Sequence, residues 1–270
     1  MASRLRRGEG LLAGMIYITG DTHGDFRRVK RYVRDNRLAE GDTMVVLGDA
    51  GINYFGNSRD EQPRKLIAKL PITVFCIHGN HEMRPATLPM YHEGSFCGGT
   101  VYVEDAYPNI LFAKDGEVYD FGGVQAMVVG GAYSVDKEAR IAKGWSWFPD
   151  EQPSDETKQL VWDRLEERDW KVDVMLTHTC PRGVEPVELF FPNVDQSSVD
   201  KSTEDWLQRI AERLDFKWWY FGHFHSSKVV GRYQLMFQDF SLFYGQPGWE
   251  EPAQTVPGDG LGSDGGPVED

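Results

Sequence analysis

Cysteine is scarce: Cys76, Cys97 and Cys180 are the only three in 270 residues. An odd, scattered set builds neither a disulfide framework nor a paired Cys-x-x-Cys metal site, and the compartment expected from that usage is a reducing cytoplasm. Long apolar runs are missing as well. No stretch reaches the about 18 consecutive apolar residues of a membrane helix, so no span is expected. Positive charge is the third shortage, with 29 Lys and Arg against 42 Asp and Glu. That balance argues against a protein that holds nucleic acid mainly through its phosphates, and leaves nucleic acid only as a substrate. An acidic chain that acts on an anion needs local positive charge, which bound metal ions can supply.

The acid is unevenly spread. Residues 246–270 hold Glu250, Glu251, Asp259, Asp264, Glu269 and Asp270 with no Lys or Arg, in a Gly- and Pro-rich context. This composition predicts a disordered acidic tail. At the other end, Arg4, Arg6 and Arg7 precede a Leu-Leu-Ala-Gly run too brief for a signal-peptide core, so residues 1–14 read as an N-terminal extension. One folded domain over 15–245 remains.

Within it, short β-branched runs alternate with helical patterns. MIYITG (15–20) is followed by Phe26, Val29, Tyr32 and Val33 at helical spacing, TMVVLG (43–48) by a helical 58–70, and ITVFCIHG (72–79) comes next. That is the rhythm of βαβ units. Residues 101–131 read as an antiparallel meander of four short strands. A helix is expected from Ser154 to about 168, a strand at VDVMLTH (172–178), a helix over 203–214, a strand at KWWYFG (217–222), and final strands in KVVGRYQLMFQ and SLFY.

Five of these runs end alike. Asp21 and His23 follow MIYITG, Asp49 follows TMVVLG, Asn80 and His81 follow ITVFCIHG, His178 follows VDVMLT, and His223 and His225 follow KWWYFG. Alone, each block is ordinary turn material. Together they place five of the chain's seven histidines at the carboxyl ends of strands, where α/β sheets bind ligands. Mixed carboxylate and imidazole donors suit borderline divalent ions, and pairs of such ions roughly 3.5–4 Å apart serve displacement at phosphorus.

The blocks GDTHG (20–24), GDAG (48–51), GNHE (79–82), THTCP (177–181) and GHFH (222–225) resemble, in order, those of the calcineurin-like metallophosphoesterases. The resemblance implies an α/β fold, a four-layer αββα sandwich of two mixed β-sheets flanked by helices. It implies a first metal held by Asp21, His23 and His225, a second held by Asn80, His178 and His223, and Asp49 bridging both. His81 would then protonate the leaving oxygen or steady the phosphoryl group. The implied reaction is hydrolysis of a phosphomonoester or phosphodiester by direct attack of a water or hydroxide bridging two divalent ions, manganese first, with iron, zinc or nickel as alternatives. A nucleotide is among the candidate substrates.

The resemblance does not extend to the GD-x-x-DRG block of the serine/threonine phosphatases, since Asp49 is followed by Ala50-Gly51-Ile52-Asn53. The doublet GHFH is more similar to the bacterial and phage branch. Two alternatives share the fold: a nuclease or cyclic-nucleotide phosphodiesterase, and a non-catalytic binding module. For substrate phosphate, Arg84 and Arg182 are the first candidates because each closely follows a metal block; Arg59, Lys137 and Arg140 are further cations in expected loops. Cys180 reads as a small buried residue rather than a ligand, and Trp145, Trp147 and Phe148 as a cap on the core rather than a stacking wall.

Overall fold

The computed structural model describes residues 14–192 and 194–255. In chain order the strands are β1 (Ile16–Thr19), β2 (Thr43–Val46), β3 (Thr73–Cys76), β4 (His92–Phe96), β5 (Gly99–Val103), β6 (Ile110–Ala113) and β7 (Val118–Asp120). They continue with β8 (Gln125–Val129), β9 (Val174–Thr177), β10 (Trp218–Phe221), β11 (Lys228–Val230), β12 (Tyr233–Leu235) and β13 (Ser241–Leu242). One sheet has the order β13-β1-β2-β3-β6-β5-β4 and the other β11-β12-β10-β9-β8-β7. Strands β1, β2, β3 and β6 are parallel, as are β8, β9, β10 and β12, and antiparallel strands close the edges.

Side-chain alternation explains the layers. Along the first sheet Val45 and Leu47 join Ile16, Ile18, Phe75 and Ile77 against the second sheet, while Met44 and Val46 turn the other way. Those outward residues meet Val29 and Val33 of α1 (Arg27–Asp35) and Ile67 of α2 (Glu61–Ile67). The second sheet mirrors this, with Val174, Leu176, Trp218 and Tyr220 inward and Met175, Trp219 and Phe221 outward. A short helix, α3 (Lys137–Lys143), comes between β8 and the two helices that cover the second sheet. The outward side chains pack on Val161 and Leu165 of α4 (Asp155–Glu167) and on Trp206, Leu207 and Ile210 of α5 (Ser202–Ala211). Central strands buried on both faces read as continuous apolar runs, which is why they stood out in the sequence. Helix α4 starts where expected, with Ser154 Oγ accepting from the Thr157 N–H at 3.2 Å.

Two expectations need correction, and two elements were not foreseen. The meander of 101–131 is split: β5 and β6 pair with each other in the first sheet, and β7 and β8 in the second. A turn at Cys97 and Gly98, both with positive φ (49° and 81°), adds the unforeseen β4 to β5 as a hairpin. Helix α3 was not expected at all.

The second correction concerns the tail. Residues 246–255 pack on the domain instead of being disordered, whereas residues 256–270, like 1–13, lie outside the described residues. Trp249 sits edge-on to Trp218 and Tyr244, with ring centroids 5.4 and 4.8 Å apart. Thr255 exchanges two hydrogen bonds of 2.9 Å with the backbone of Val229, and the Gln254 amide pairs with both backbone groups of Gly231. One aromatic anchor and an edge strand with free backbone groups outweigh a polar average composition. Trp249→Ala should therefore cost about 2 kcal/mol and lower the melting temperature by roughly 4–8 °C. An unchanged melting temperature would show that the segment contributes nothing to stability.

Candidate metal centre

The eight strand-end residues come from five parallel strands, β1, β2 and β3 of the first sheet and β9 and β10 of the second. Beyond each strand the chain must turn at once, and four of the eight do so in the left-handed region: His23 (φ 46°), Asp49 (45°), His223 (69°) and His225 (48°). Such conformations are unfavourable for residues with a Cβ and persist only where neighbours enforce them. Here the enforcement is by hydrogen bonds. The N–H groups of Thr22 and His23 both donate to the Asp49 carbonyl, at 3.2 and 2.8 Å, and the His223 N–H donates to Asp21 Oδ1 at 3.1 Å. Arg28 of α1 donates to the carbonyls of Gly20 and Asp21 at 2.9 and 2.8 Å, fixing the exit from β1.

The glycines of the blocks follow from the same crowding. A Cβ on Gly79 would lie 2.0 Å from Asp49 Oδ1, and one on Gly222 2.4 Å from Asp21 Oδ1. Only residues without a side chain let the loops approach this closely.

The side chains converge in two groups. Asp21, His23 and His225 form the first: His23 Nε2 and His225 Nε2 are 2.8 Å apart, and Asp21 Oδ2 lies 3.2 Å from His225 Nε2 and 3.9 Å from His23 Nε2. Asp49, Asn80, His178 and His223 form the second. Asn80 Oδ1 faces His178 Nε2 at 2.7 Å and His223 Nδ1 at 3.0 Å, and Asp49 Oδ2 is 3.7 Å from His178 Nε2. Donor atoms of Asp21, Asp49 and His178 all lie within 4.8 Å of one another, so the two carboxylates link the groups.

These atoms fit divalent ions better than they fit each other. The His178 Nδ1 is 2.8 Å from the Leu47 carbonyl, which can only accept, so Nδ1 carries the proton and Nε2 keeps its lone pair in the neutral ring. That lone pair faces Asn80 Oδ1, another acceptor, because the amide nitrogen Nδ2 is occupied in donating to Ser134 Oγ at 2.8 Å. Asp21 Oδ2 is buried and short of a hydrogen-bond donor. Converging acceptors in a closed site need a cation among them.

The protonation states agree at Asp49, Asp21 and His223, whereas at His225 burial is outweighed by the contact with Asp21, which raises the ring pKa. Burial opposes ionisation of Asp49, but the surrounding imidazoles of His178, His81 and His23 and the His81 N–H outweigh it and hold the carboxyl below its usual range. Asp21 is likewise opposed by burial yet held low by its contact with His225 and by His178. Burial, with His178 beside it, pulls His223 down to about 3, so its ring is neutral and able to ligate at pH 7.

His81 is placed differently. Its N–H donates to Asp49 Oδ1 at 2.8 Å, while its ring Nε2 lies 3.2 Å from Asn80 Nδ2 and 3.5 Å from Arg140 Nη2. Burial lowers the ring pKa, and Arg140 adds to the lowering. Arg140 projects from α3, its Nε donating to Asp136 Oδ2 at 2.8 Å and its Nη1 to the Tyr54 hydroxyl at 3.2 Å.

The other arginines go elsewhere. Arg84 donates to Asp115 Oδ2 at 2.7 Å and to the carbonyls of Asp150 and Gln152 at 2.8 and 3.2 Å. Arg182 pairs with Glu185 at 3.4 Å and Asp205 at 3.8 Å. Neither bonds to or pairs with any of the eight strand-end residues. Arg59 lies over the Phe55 ring, 3.4 Å from its centroid, and Lys137 over Trp147 at 4.3 Å. Cys180 is fully buried in the core beside α5, where burial keeps its thiol protonated. Phe148 is buried, Trp147 donates its indole N–H to Glu151 Oε2 at 2.9 Å, and Trp145 lies under Lys143 at the surface.

Sequence reasoning passed over Glu82, Ser134 and Glu151. Glu82 is completely buried beneath the loops, with Oε1 accepting from the N–H groups of Gly79 (2.9 Å) and Ala50 (3.4 Å); burial and the nearby Asp49 charge push it up to about 8. Its signal was available, since it closes the GNHE block. Ser134 and Glu151 lie outside any block.

Among solved structures, TT1561 of Thermus thermophilus is similar at 12% identity and a TM-score of 0.45, over 82% of this chain and 87% of that one. The phosphopantetheinyl hydrolase PptH of Mycobacterium tuberculosis is similar at 16% identity and a TM-score of 0.44, over 84% and 89%. No curated protein matches this sequence. The family model for calcineurin-like phosphoesterases matches residues 14–227, the span that carries all five strand-end blocks, and the chain belongs to that family.

Proposed function

We propose that the protein is a metal-dependent phosphoesterase that hydrolyses a phosphomonoester or phosphodiester by direct attack of water at phosphorus, at a centre of two divalent ions. The observation that carries this reading is the convergence of acceptor atoms from five strand ends, above all the His178 Nε2 lone pair facing Asn80 Oδ1 at 2.7 Å. Asp21, His23 and His225 would hold one ion, Asn80, His178 and His223 the other, and Asp49 would lie between them. Two such ions supply positive charge to phosphoryl oxygens and make water a usable nucleophile near neutral pH.

The chain supplies the remaining steps. His81, beside the cluster but outside both ligand sets, gives a proton to the leaving oxygen or steadies the phosphoryl group. Arg140, 3.5 Å from His81 Nε2, takes the part of phosphate anchor expected of Arg84 and Arg182 from their places beside metal blocks. Neither a serine nor a cysteine nucleophile is needed, and no phosphoenzyme forms. A non-catalytic module on the same fold is disfavoured because every ligand position holds a residue able to bind.

The substrate is a phosphate ester, with nucleotides the first to try; no helix among the described residues is long and apolar enough to cross a membrane. Manganese is the first ion to test, since mixed Asp, Asn and His donors suit first-row divalent ions better than magnesium. Chelator-treated protein should be inactive and should regain activity with manganese, assayed on mono- and bis-p-nitrophenyl phosphate to separate the two ester classes. Full activity of demonstrably metal-free protein would overturn the reading.

A further inference from the structure

Asparagine is an ambiguous ligand. Its carbonyl oxygen binds a cation and its amide nitrogen repels one, yet the two ends have nearly the same shape. Something must decide which end Asn80 presents to the histidines. The structure offers a specific answer in residues 132–151, the loop and short helix that follow β8.

Asn80 is 1% exposed and its Nδ2 donates to Ser134 Oγ at 2.8 Å; Ser134 is also 1% exposed. A hydroxyl can donate as well as accept, so Ser134 alone would be content with either end of the amide. Glu151, 3% exposed, removes that freedom. Its Oε1 accepts from the Ser134 N–H at 3.2 Å and its Oε2 from the Trp147 indole at 2.9 Å, which sets the carboxylate beside the Ser134 side chain, whose hydroxyl favours its ionised form. Burial raises the Glu151 pKa, but the hydrogen bonds from Ser134 and Trp147 and the charge of Lys137 favour the carboxylate, which only accepts, so the Ser134 hydroxyl gives its proton to Glu151. The Ser134 oxygen is then left as an acceptor toward Asn80, and only Nδ2 can satisfy it. Oδ1 is thereby turned to His178 Nε2 and His223 Nδ1, at 2.7 and 3.0 Å.

We propose that Ser134 and Glu151 are positioning residues that force Asn80 to present its oxygen, and not its nitrogen, to the metal centre. The chain of donors runs one way, from Asn80 through Ser134 to Glu151, and Trp147 closes its far end. This device rests on the reading of Asn80 as a ligand. Groups that orient a ligand typically contribute about 10–100-fold in metal affinity.

The test uses the full chain, with manganese alone as the probe, and reads ion stoichiometry, the affinity of each bound ion by calorimetry and the melting temperature of the metal-free protein. Ser134→Ala removes the acceptor, and Glu151→Gln keeps size and shape but supplies a donor, so that the chain loses its direction. Both variants should weaken one ion by about 10–100-fold and leave the other unchanged, with Glu151→Gln melting close to wild type when metal-free. Asn80→Ala is the control and should lose that same ion. Wild-type affinity for both ions in Ser134→Ala and Glu151→Gln, with one ion lost in Asn80→Ala, would overturn the positioning role while leaving the ligand reading intact. Two ions retained in Asn80→Ala would overturn the ligand reading itself. Equal weakening of both ions, accompanied by a large fall in the metal-free melting temperature, would reduce Ser134 and Glu151 to structural residues and overturn the proposal.

Discussion

Asp49→Asn is expected to cost more than about 100-fold in affinity for at least one ion, and nearly all activity with it. Residues that merely orient ligands are worth about 10–100-fold, which sets a floor for a residue proposed to lie between two ions. The substitution changes no shape, so the effect isolates charge. Asp49 is 1% exposed and ionised below the usual carboxylate range, which means that its negative charge is part of the resting site. In the proposed centre, removing it would leave one carboxylate, Asp21, to balance two cations. The carboxylate also accepts the His81 N–H at 2.8 Å, and an amide oxygen can keep that bond, so the loop should hold. Metal analysis beside kcat/KM checks the point, and near-normal metal content with a near-normal rate would remove Asp49 from the bridging position.

His81→Ala is the second large effect. If the ring donates a proton to the departing oxygen, its value scales with how badly that oxygen needs one, and general acid help is worth ~10²–10⁴ in rate. Alkyl phosphates should lose most of that. p-Nitrophenyl esters, whose leaving group departs readily as an anion, should lose less, and both ions should stay bound. Burial and Arg140 lower the His81 pKa, so the protonated ring is a stronger acid carried by fewer molecules as pH rises. The penalty on alkyl esters should accordingly be largest on the acid side of neutrality. Equal losses on both ester types would assign His81 to electrostatic stabilisation, and a missing ion would make it a ligand.

The strand-end residues could be read from the sequence because the signal was local and repeated. Each sits a few residues beyond a run of apolar residues, and an apolar run that stops at Asp or His is visible without a fold. Sheet membership was not visible in the same way. Val118 and Gln125 begin strands that look like a continuation of Ile110–Ala113, and only the inter-sheet core, built from residues far apart in the chain, determines that β7 and β8 belong to the other sheet. Helix α3 has seven residues and buries only Arg140, so it offers no apolar stripe to find. Arg140 therefore stood in the sequence as one loop cation among several, while Arg84 and Arg182 drew attention by lying next to metal blocks. Proximity in sequence is not proximity in space; Arg84 pairs with Asp115 and Arg182 with Glu185. Trp249 was missed for another reason. A single anchor disappears in the average composition of a Gly- and Pro-rich segment.

The proposed ligand sets are divided between the sheets in a way that bears on how the protein is made. Asp21, His23, Asp49 and Asn80 emerge early in synthesis, and His178, His223 and His225 late. Each proposed set straddles the division, so neither sheet alone completes a site for either ion. His23 and His225, 2.8 Å apart in space, are separated by 202 positions along the chain. Contacts of such long range form late and slowly, after most of the chain-closure entropy has been spent. A nascent chain thus offers metal only a partial, low-affinity set of donors until the second sheet docks. On the proposed assignment, capture of the ions becomes an event of the finished fold, timed by topology.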